Sequence, residues 1–329
     1  NKKVKNYIEL LNVVESQKEN WELALYTSGT TGKPKKVKHK LETITKGVKI
    51  SEKYKNDIWG LAYNLTHFAG LQVFFQAFYN KNPIIYLFNL DKKEVEDKIN
   101  KYKITNISAT PTYYRSIIPY LNQPIKTVRK LTMGGERYDS TLEKTLKDKF
   151  PNALIKNVYA STEAGSLFSA DGEIFKISPR VREKIRINDD NELIVHKSIL
   201  GESDYLNLID EWYKTGDIVE KIDDEHFKFL SRKTEMINIG GYKVNPYEVE
   251  NEIKKINGII DLLVSSKENI ITGNILIAEI IIEEGLSEKN IEKEINIILK
   301  NKLQPWKIPR IIKFVKELEK TRTEKKLRK

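Results

Sequence analysis

The stretch YTSGTTGKPKK, residues 26–36, places a serine, three threonines and two glycines around Lys33. Glycine lets backbone amides converge, hydroxyls add donors and the ammonium adds charge, so such a loop can cradle a phosphate. It is not a Walker loop, which needs four residues between its glycines and a Ser or Thr after the lysine. Here only Thr30 and Thr31 separate Gly29 from Gly32, and Pro34 follows Lys33. The same composition also makes plain surface turns, so the loop acquires a meaning only from the rest of the chain. Other polar stretches follow in order: NLTHFAG with His67, GGE ending at Glu136, NVYASTE ending at Glu163, WYKTGD ending at Asp217, SRKTEMINIGGYKVNPYEVE, and LEKTRTEKKLR with Lys325. Taken singly, each has an ordinary reading. Asp217 could be a turn aspartate, Thr162 and Glu163 a helix start, His67 a core histidine, and Lys325 one cation among a dozen.

The elements that must position these residues are legible from periodicity. From Trp21 to about Tyr159 short apolar runs (WELALYT, IWGLAYN, PIIYLF, ITNISAT, KLTMGG, ALIKNVY) alternate with helical patterns such as DKKEVEDKINKY, in which Val95, Ile99 and Tyr102 share a face. That order predicts a mostly parallel sheet with crossover helices, whose ligands bind where loops leave the carboxyl ends of strands. YTSGTTG and YASTE are both expected at such ends. From about Gly172 to Leu230 the pattern turns β-rich, predicting a subdomain of antiparallel strands. A second domain is expected from Ser231, giving residues 1–230 and 231–329. Its opening reads as strand, Gly-Gly turn, strand, and a helix with Asn245 as N-cap, Pro246 in the first turn and Glu248 closing the cap. Val249, Ile253 and Ile256 form that helix's buried face, and the strands IIDLLVSS and NILIAEIII with the helix NIEKEINIILKNKL complete a small α+β unit.

Composition narrows the chemistry. The chain of 329 residues has no cysteine and four scattered histidines, which excludes disulfides, thiolate metal sites, a cysteine nucleophile and the short zinc spacings. A cysteine-free chain fits a reducing cytosol, so a cytoplasmic location is expected. The basic N-terminal stretch has apolar residues at helical spacing and no continuous apolar core, so neither a signal peptide nor a membrane span is expected. Of the net charge of +11, residues 300–329 hold +9, with twelve Lys and Arg against Glu317, Glu319 and Glu324. The basic tail could meet a small-molecule phosphate or an acidic protein, or be a solvated end. A nucleic-acid arm is disfavoured because no aromatic follows Phe314 on which a base could stack.

Taken together and in this order, the polar stretches resemble the motifs of the adenylate-forming enzymes, the superfamily of acyl-CoA synthetases, amino-acid adenylation domains and firefly luciferase. NVYASTE resembles the family's N-x-Y-G-x-T-E, WYKTGD its T-G-D, and LEKTRTEKKLR its L-P-x-T-x-x-G-K-I-x-R. The resemblance runs from Tyr26 to Arg328. It implies an α/β fold: a truncated large domain, mostly parallel sheet plus a β-rich subdomain, and a small mobile α+β C-terminal domain. It implies ATP and Mg²⁺, with Ser28, Gly29, Thr30, Thr31, Gly32 and Lys33 in the loop holding the departing phosphates. Thr162 would contact the α-phosphate and Glu163 the Mg²⁺; Tyr159 would stack on adenine and Asn157 would bond its edge. Asp217, assisted by Arg232, would accept the ribose hydroxyls. Gly135 and Glu136 belong to the nucleotide-binding set, and His67 to the segment that meets the acid. Lys325 would stabilise charge developing between carboxylate and α-phosphate, by electrostatics rather than nucleophilic attack. The loop of Gly240 and Gly241 would line the channel of a pantetheine thiol, making CoA or an acyl carrier protein the acceptor.

Several positions depart from the motifs. Lys36, Ala160, Ser231 and Glu324 stand where the family has Gly, Glu319 where it has Pro, and Thr234 where the hinge is Asp or Lys; none removes an expected ATP contact. Only 25 residues precede the phosphate loop, where relatives carry a long N-terminal half, so a shortened member or a fragment is expected. A homo-oligomer or a partner could close the acyl pocket left open. The resemblance implies that an amino-acid adenylation domain would carry, after the phosphate loop, an Asp that grips the α-ammonium; the corresponding stretch GLAYNLTHFAGLQVFFQAFYNKNP contains no acid, and an unpaired buried ammonium is costly. The expected substrate is therefore a small non-amino carboxylic acid, fatty, hydroxy-fatty or aryl, with Tyr63, Phe68, Phe74 and Tyr113 available to line its cavity. The expected activity is an ATP-dependent, AMP-forming acyl-CoA or acyl-carrier-protein ligase. Its alternatives are a non-catalytic adenylate-binding or partner-recruiting chain and, within the class, an o-succinylbenzoate-CoA-type ligase or an amino-acid adenylation enzyme.

Overall fold

Apolar residues at helical spacing near the N-terminus form α1 (Tyr7–Ser16), whose cap is Asn6, its side chain accepting from Glu9 N at 2.9 Å. The computed structural model describes residues 5–27, 35–203, 206, 208–320 and 326–328. Two compact units divide the chain: Asn1–Asp189, Leu193–Thr215 and Lys221–Lys228 form the larger, and Asp190–Glu192, Gly216–Glu220 and Phe229–Lys329 the smaller.

In the larger unit β1 (Glu22–Thr27) pairs antiparallel with β2 (Lys35–Lys40), followed by α2 (Leu41–Thr45). This corrects the expectation that WELALYT joins the parallel sheet. β1 and β2 form a two-stranded sheet of their own, so the phosphate-loop sequence joins two hairpin strands rather than leaving a parallel strand. The main sheet has the order β4-β3-β5-β6-β7-β8. It comprises β3 (Trp59–Leu61), β4 (Ile84–Tyr86), β5 (Asn106–Ala109), β6 (Lys130–Gly134), β7 (Leu154–Ser161) and β8 (Gly165–Ala170). Its first five members pair in parallel, and β8 returns antiparallel on β7.

The crossovers are α3 (Phe68–Tyr79), α4 (Val95–Tyr102), α5 (Pro111–Ile117) and α6 (Ser140–Lys149). On α4, Val95 and Ile99 are buried as expected but Tyr102 is exposed, because the helix ends there and Lys103 turns left-handed at φ 52°. The core under the sheet gathers Ile99, Ile107, Tyr113, Tyr114, Leu131, Leu146 and Phe150. Its buried phenols are satisfied: Tyr113 donates to Leu87 O at 3.1 Å, and Tyr114 to Ile107 O and Thr132 O at 3.0 and 3.1 Å. Tyr113 is therefore a core residue rather than a cavity wall. Phe74 likewise packs on Phe75 and Phe78.

The β-rich stretch folds as expected. β9 (Ile174–Lys176), β10 (Ile185–Ile187), β11 (Glu192–His196), β12 (Leu208–Ile209), β13 (Trp212–Lys221) and β14 (His226–Arg232) make a sheet of order β10-β11-β13-β14-β9, with β12 on β13. In the smaller unit β15 (Ile237–Ile239) and β16 (Tyr242–Val244) flank a turn in which Gly240 and Gly241 have φ of 56° and 91°, a conformation costly to any other residue. Asn245 then caps α7 (Pro246–Ile253), accepting from Tyr247 N at 3.0 Å. Glu248 does not close that cap; its carboxylate takes Lys307 Nζ at 2.7 Å, a cation stronger than a backbone amide as partner. β17 (Ile259–Asn269) and β18 (Gly273–Ile282) pair antiparallel, and α8 (Glu288–Lys302) covers them. β19 (Ile311–Phe314), which the sequence reading left unassigned, adds parallel to β18. Val249, Ile253, Ile256, Leu262, Ala278, Ile295 and Leu299 form this unit's core.

Candidate active site

Two polar clusters line up along β6 and β7 in the larger unit. Gly134 ends β6, and the Glu136 carboxylate two residues on takes Thr112 N at 3.0 Å and Thr112 Oγ1 at 2.8 Å through one oxygen. Its other oxygen, Oε1, is buried without a hydrogen-bond partner. Tyr63 donates to Gly134 O at 3.3 Å, and burial, joined by the Glu136 charge, raises its phenol above the ordinary tyrosine range. Asn157 and Met133 are opposite each other in the parallel ladder, so the second cluster starts beside the first. The Asn157 side chain is buried and its Nδ2 donates to Gly172 O at 2.9 Å, which fixes the amide's orientation. Tyr159 packs on Phe168 and Phe175, at 5.7 and 6.2 Å between ring centres.

Beyond Ser161 the chain turns rather than starting a helix. Ser161 Oγ accepts from Ala164 N at 3.0 Å, and residues 162–164 connect β7 to β8. The turn is fastened at two carbonyls: His39 Nε2 lies 2.8 Å from Thr162 O, and Gly201 N donates to Glu163 O at 2.7 Å. A carbonyl only accepts, so Nε2 carries the proton and Nδ1 is bare. That Nδ1 is buried without a partner and faces Gly201, where a side-chain β-carbon would sit 3.0 Å from Nδ1 and 2.7 Å from Cε1. Only glycine fits there. Burial lowers the His39 pKa below 6.5, against the opposing pull of the Thr162 carbonyl and the Glu163 charge.

His39 was missed by sequence reasoning. Its signal was a histidine two residues past the Lys36-Val37 pair, with nothing local to separate it from a solvated strand residue. His67, which was singled out, stands half-buried at the N-cap position of α3 without a capping side-chain bond.

In the smaller unit Asp217 is 2% exposed, and its Oδ1 takes Arg232 Nε at 2.9 Å. The preceding Gly216 donates its N–H to Glu192 Oε1 at 2.9 Å. Gly241 N donates to Asn238 Oδ1 at 3.0 Å within the turn, and Gly240 N donates to Thr272 O at 2.8 Å, which ties the turn to the end of the β17–β18 hairpin. Ser28, Gly29, Thr30, Thr31, Gly32, Lys33 and Lys325 lie outside the described residues.

Among the described residues no three His, Cys, Asp or Glu side chains come together as a metal cage. A single carboxylate on a turn, Glu163, suits a magnesium ion that takes its remaining ligands from phosphates and water. Among the described residues, no helix is long and apolar enough to cross a membrane.

A parallel sheet with polar turns at its carboxyl end, a β-rich continuation and a separate α+β unit define an adenylate-forming fold. The chain belongs to the AMP-binding enzyme family: residues 2–192 match the family's main domain and residues 248–325 the AMP-binding enzyme C-terminal domain. It is 25% identical over 332 residues to 2-succinylbenzoate–CoA ligase of Listeria monocytogenes, covering 92% of this chain and 69% of that one. It is also 25% identical over 306 residues to bacitracin synthase 3 of Bacillus licheniformis, covering 82% of this chain and 5% of that one. The fold matches that of o-succinylbenzoate coenzyme A synthetase from Bacillus subtilis in complex with ATP and magnesium ion. The TM-score is 0.68 at 22% identity, over 90% of this chain and 66% of that one. The chain thus spans about two thirds of the ligases it resembles and a small part of the synthase.

Proposed function

We propose that the chain is an AMP-forming ligase that activates a small non-amino carboxylic acid with ATP and passes the acyl group to a thiol, CoA or a carrier-protein pantetheine. A carboxylate resists a thiol because it would have to expel an oxide; joining it to AMP supplies a good leaving group. The observation that carries the reading is the β7–β8 turn, where Thr162 and Glu163 follow a buried Asn157 and a packed Tyr159 on one strand end. In this reading Asn157 and Tyr159 hold adenine, Thr162 the α-phosphate and Glu163 the magnesium. Asp217, oriented by Arg232, takes the ribose hydroxyls, while residues 28–33 hold the departing pyrophosphate. When bound, ATP would supply the adenylyl group and Mg²⁺ would neutralise phosphate charge. In the same reading residues 1–230 bind ATP and acid, and residues 231–329 form a lid that carries Lys325.

The acceptor class is supported by the similarity to a CoA ligase, and the acid class by residues 60–83, which hold no carboxylate to pair an α-ammonium. The test is carboxylate-dependent exchange of labelled pyrophosphate into ATP across aryl, fatty, hydroxy and amino acids. Exchange with aryl or fatty acids and none with amino acids is expected; no exchange with any acid would overturn the reading.

A further inference from the structure

Two lysines, Lys325 and Lys326, stand next to each other in the motif-bearing tail. The structure commits the second. Lys326 Nζ lies 2.5 Å from Asp261 Oδ1 and 2.8 Å from Leu262 O, with the two side chains 15% and 10% exposed. Two residues on, Arg328 pairs with Glu250 at 2.9 Å, donates to Val264 O and lies over the Tyr247 ring at 4.6 Å. Glu250 is itself anchored, accepting from Val264 N at 2.8 Å. On the other flank Lys320 bridges antiparallel to Lys326, and Leu327 N donates to Glu319 O at 2.8 Å. The chain on both sides of residues 321–325 is therefore held together and pinned to β17 and α7 of its own unit.

The motif that the tail resembles has an apolar residue at the position of Lys326, which would pack there without a partner. A lysine at that place needs the carboxylate of Asp261, because an unpaired buried ammonium is costly. A one-residue slip of the tail would carry Lys326 out of that contact and Lys325 into it, so the ion pairs fix register as well as place.

We propose that the Asp261–Lys326 and Glu250–Arg328 pairs form a clasp that sets the register of Lys325, which makes Asp261 and Glu250 positioning residues for the adenylation step. The inference rests on the ligase reading above for its activity readout and on side-chain reactivity for a readout independent of it.

The test compares the parent, Asp261→Asn, and the double variant Asp261→Leu with Lys326→Ile, which replaces both partners by apolar groups. The first readout is pulsed labelling with an amine-acylating reagent, scored by peptide mass against the exposed Lys289 and Lys293. Lys326 should label at least tenfold more slowly than these in the parent and approach their rate in Asp261→Asn, with the rate at Lys325 changed in step. The second readout separates the half-reactions. Asp261→Asn should lower pyrophosphate exchange at least tenfold while leaving thioester formation from a supplied acyl-adenylate within about twofold, and the double variant should recover most of the exchange. Lys326 labelling as fast as Lys289 in the parent would overturn the clasp. So would exposure of Lys326 with no loss of exchange, or equal loss in both half-reactions. A parent without exchange on any acid would sink the ligase reading alone, and the labelling rates at Lys325 and Lys326 would then decide the clasp.

Discussion

In the larger unit the Thr162–Glu163 turn is held by neutral bonds to two backbone carbonyls, from His39 Nε2 and Gly201 N. In the smaller unit residues 326–328 are held by two ion pairs whose four side chains are almost out of water. The two fastenings respond differently to damage. A neutral hydrogen bond contributes about 0.5 to 1.5 kcal/mol net, so losing one loosens a turn without unfolding its sheet. A buried ion pair adds little over an apolar contact while intact, yet removing one partner strands a charge and costs about 3 to 5 kcal/mol. A turn held by such bonds can thus shift while its sheet stays folded, whereas residues 326–328 are either paired or released.

The largest effect should come from breaking the charged fastening. Glu250→Ala leaves the Arg328 guanidinium without its carboxylate and the Val264 N–H without its acceptor, and the smaller unit should lose about 3 to 5 kcal/mol. Hydrogen exchange of peptides from β17 and β18 reports this directly. Protection equal to the parent would erase the contrast between the two regions. Lys325→Ala tests what the tail presents: adenylation should fall roughly a hundredfold, about 3 kcal/mol, with little effect on thioester formation from a supplied acyl-adenylate. Equal damage to both half-reactions would show that Lys325 does not act on the first transition state.

The sequence made the alternation of β3 to β7 with helices readable, because apolar runs of strand length are separated by amphipathic segments. It misplaced β1, since WELALYT has the same apolar run whether its partner lies in a parallel sheet or across a hairpin, as Thr27 and Lys35 do. It singled out Asn157, Tyr159, Glu163 and Asp217 from motif order alone. It passed over His39, Gly201, Asp261 and Glu250, whose roles exist only through partners distant along the chain. Asp261 and Lys326 are 65 residues apart, and no local pattern couples them. β19 was invisible for a related reason: IIKF is too short to show alternation, and its place is set by pairing with β18.

Asp217 and Arg232 are an intermediate case that sharpens the contrast. The carboxylate is 3% exposed but the guanidinium is 53% exposed, so Asp217→Ala frees Arg232 to water instead of stranding it. Stability should change far less than in Glu250→Ala. Nucleotide affinity should fall at least tenfold, because a charged acceptor for ribose hydroxyls contributes about 1.5 to 3 kcal/mol. Calorimetric titration with ATP measures it, and unchanged affinity in a folded variant would remove Asp217 from the nucleotide site.

The smallest effect, and the one that separates the neutral fastening most clearly, is in pH. His39 holds Thr162 O with a protonated Nε2 and keeps Nδ1 bare, so gaining a second proton would bury an N–H with no acceptor against Gly201. Burial therefore depresses its pKa below 6.5, while the Thr162 carbonyl and the nearby Glu163 charge pull the other way without prevailing. Below 6.5 the unfolded chain binds a proton that the folded chain still refuses. The stability tied to neutral His39 is thus complete above pH 6.5 and is lost as the pH falls through the lower, folded-state value. His39→Gln keeps an N–H donor for Thr162 O but cannot titrate, and should flatten this part of the stability profile. His39→Leu should also flatten it, while losing about 0.5 to 1.5 kcal/mol at neutral pH. Urea unfolding of the larger unit from pH 7.5 downward distinguishes the three proteins. A parent whose stability falls below pH 6.5 no more steeply than that of His39→Gln would show that His39 does not remain neutral on folding.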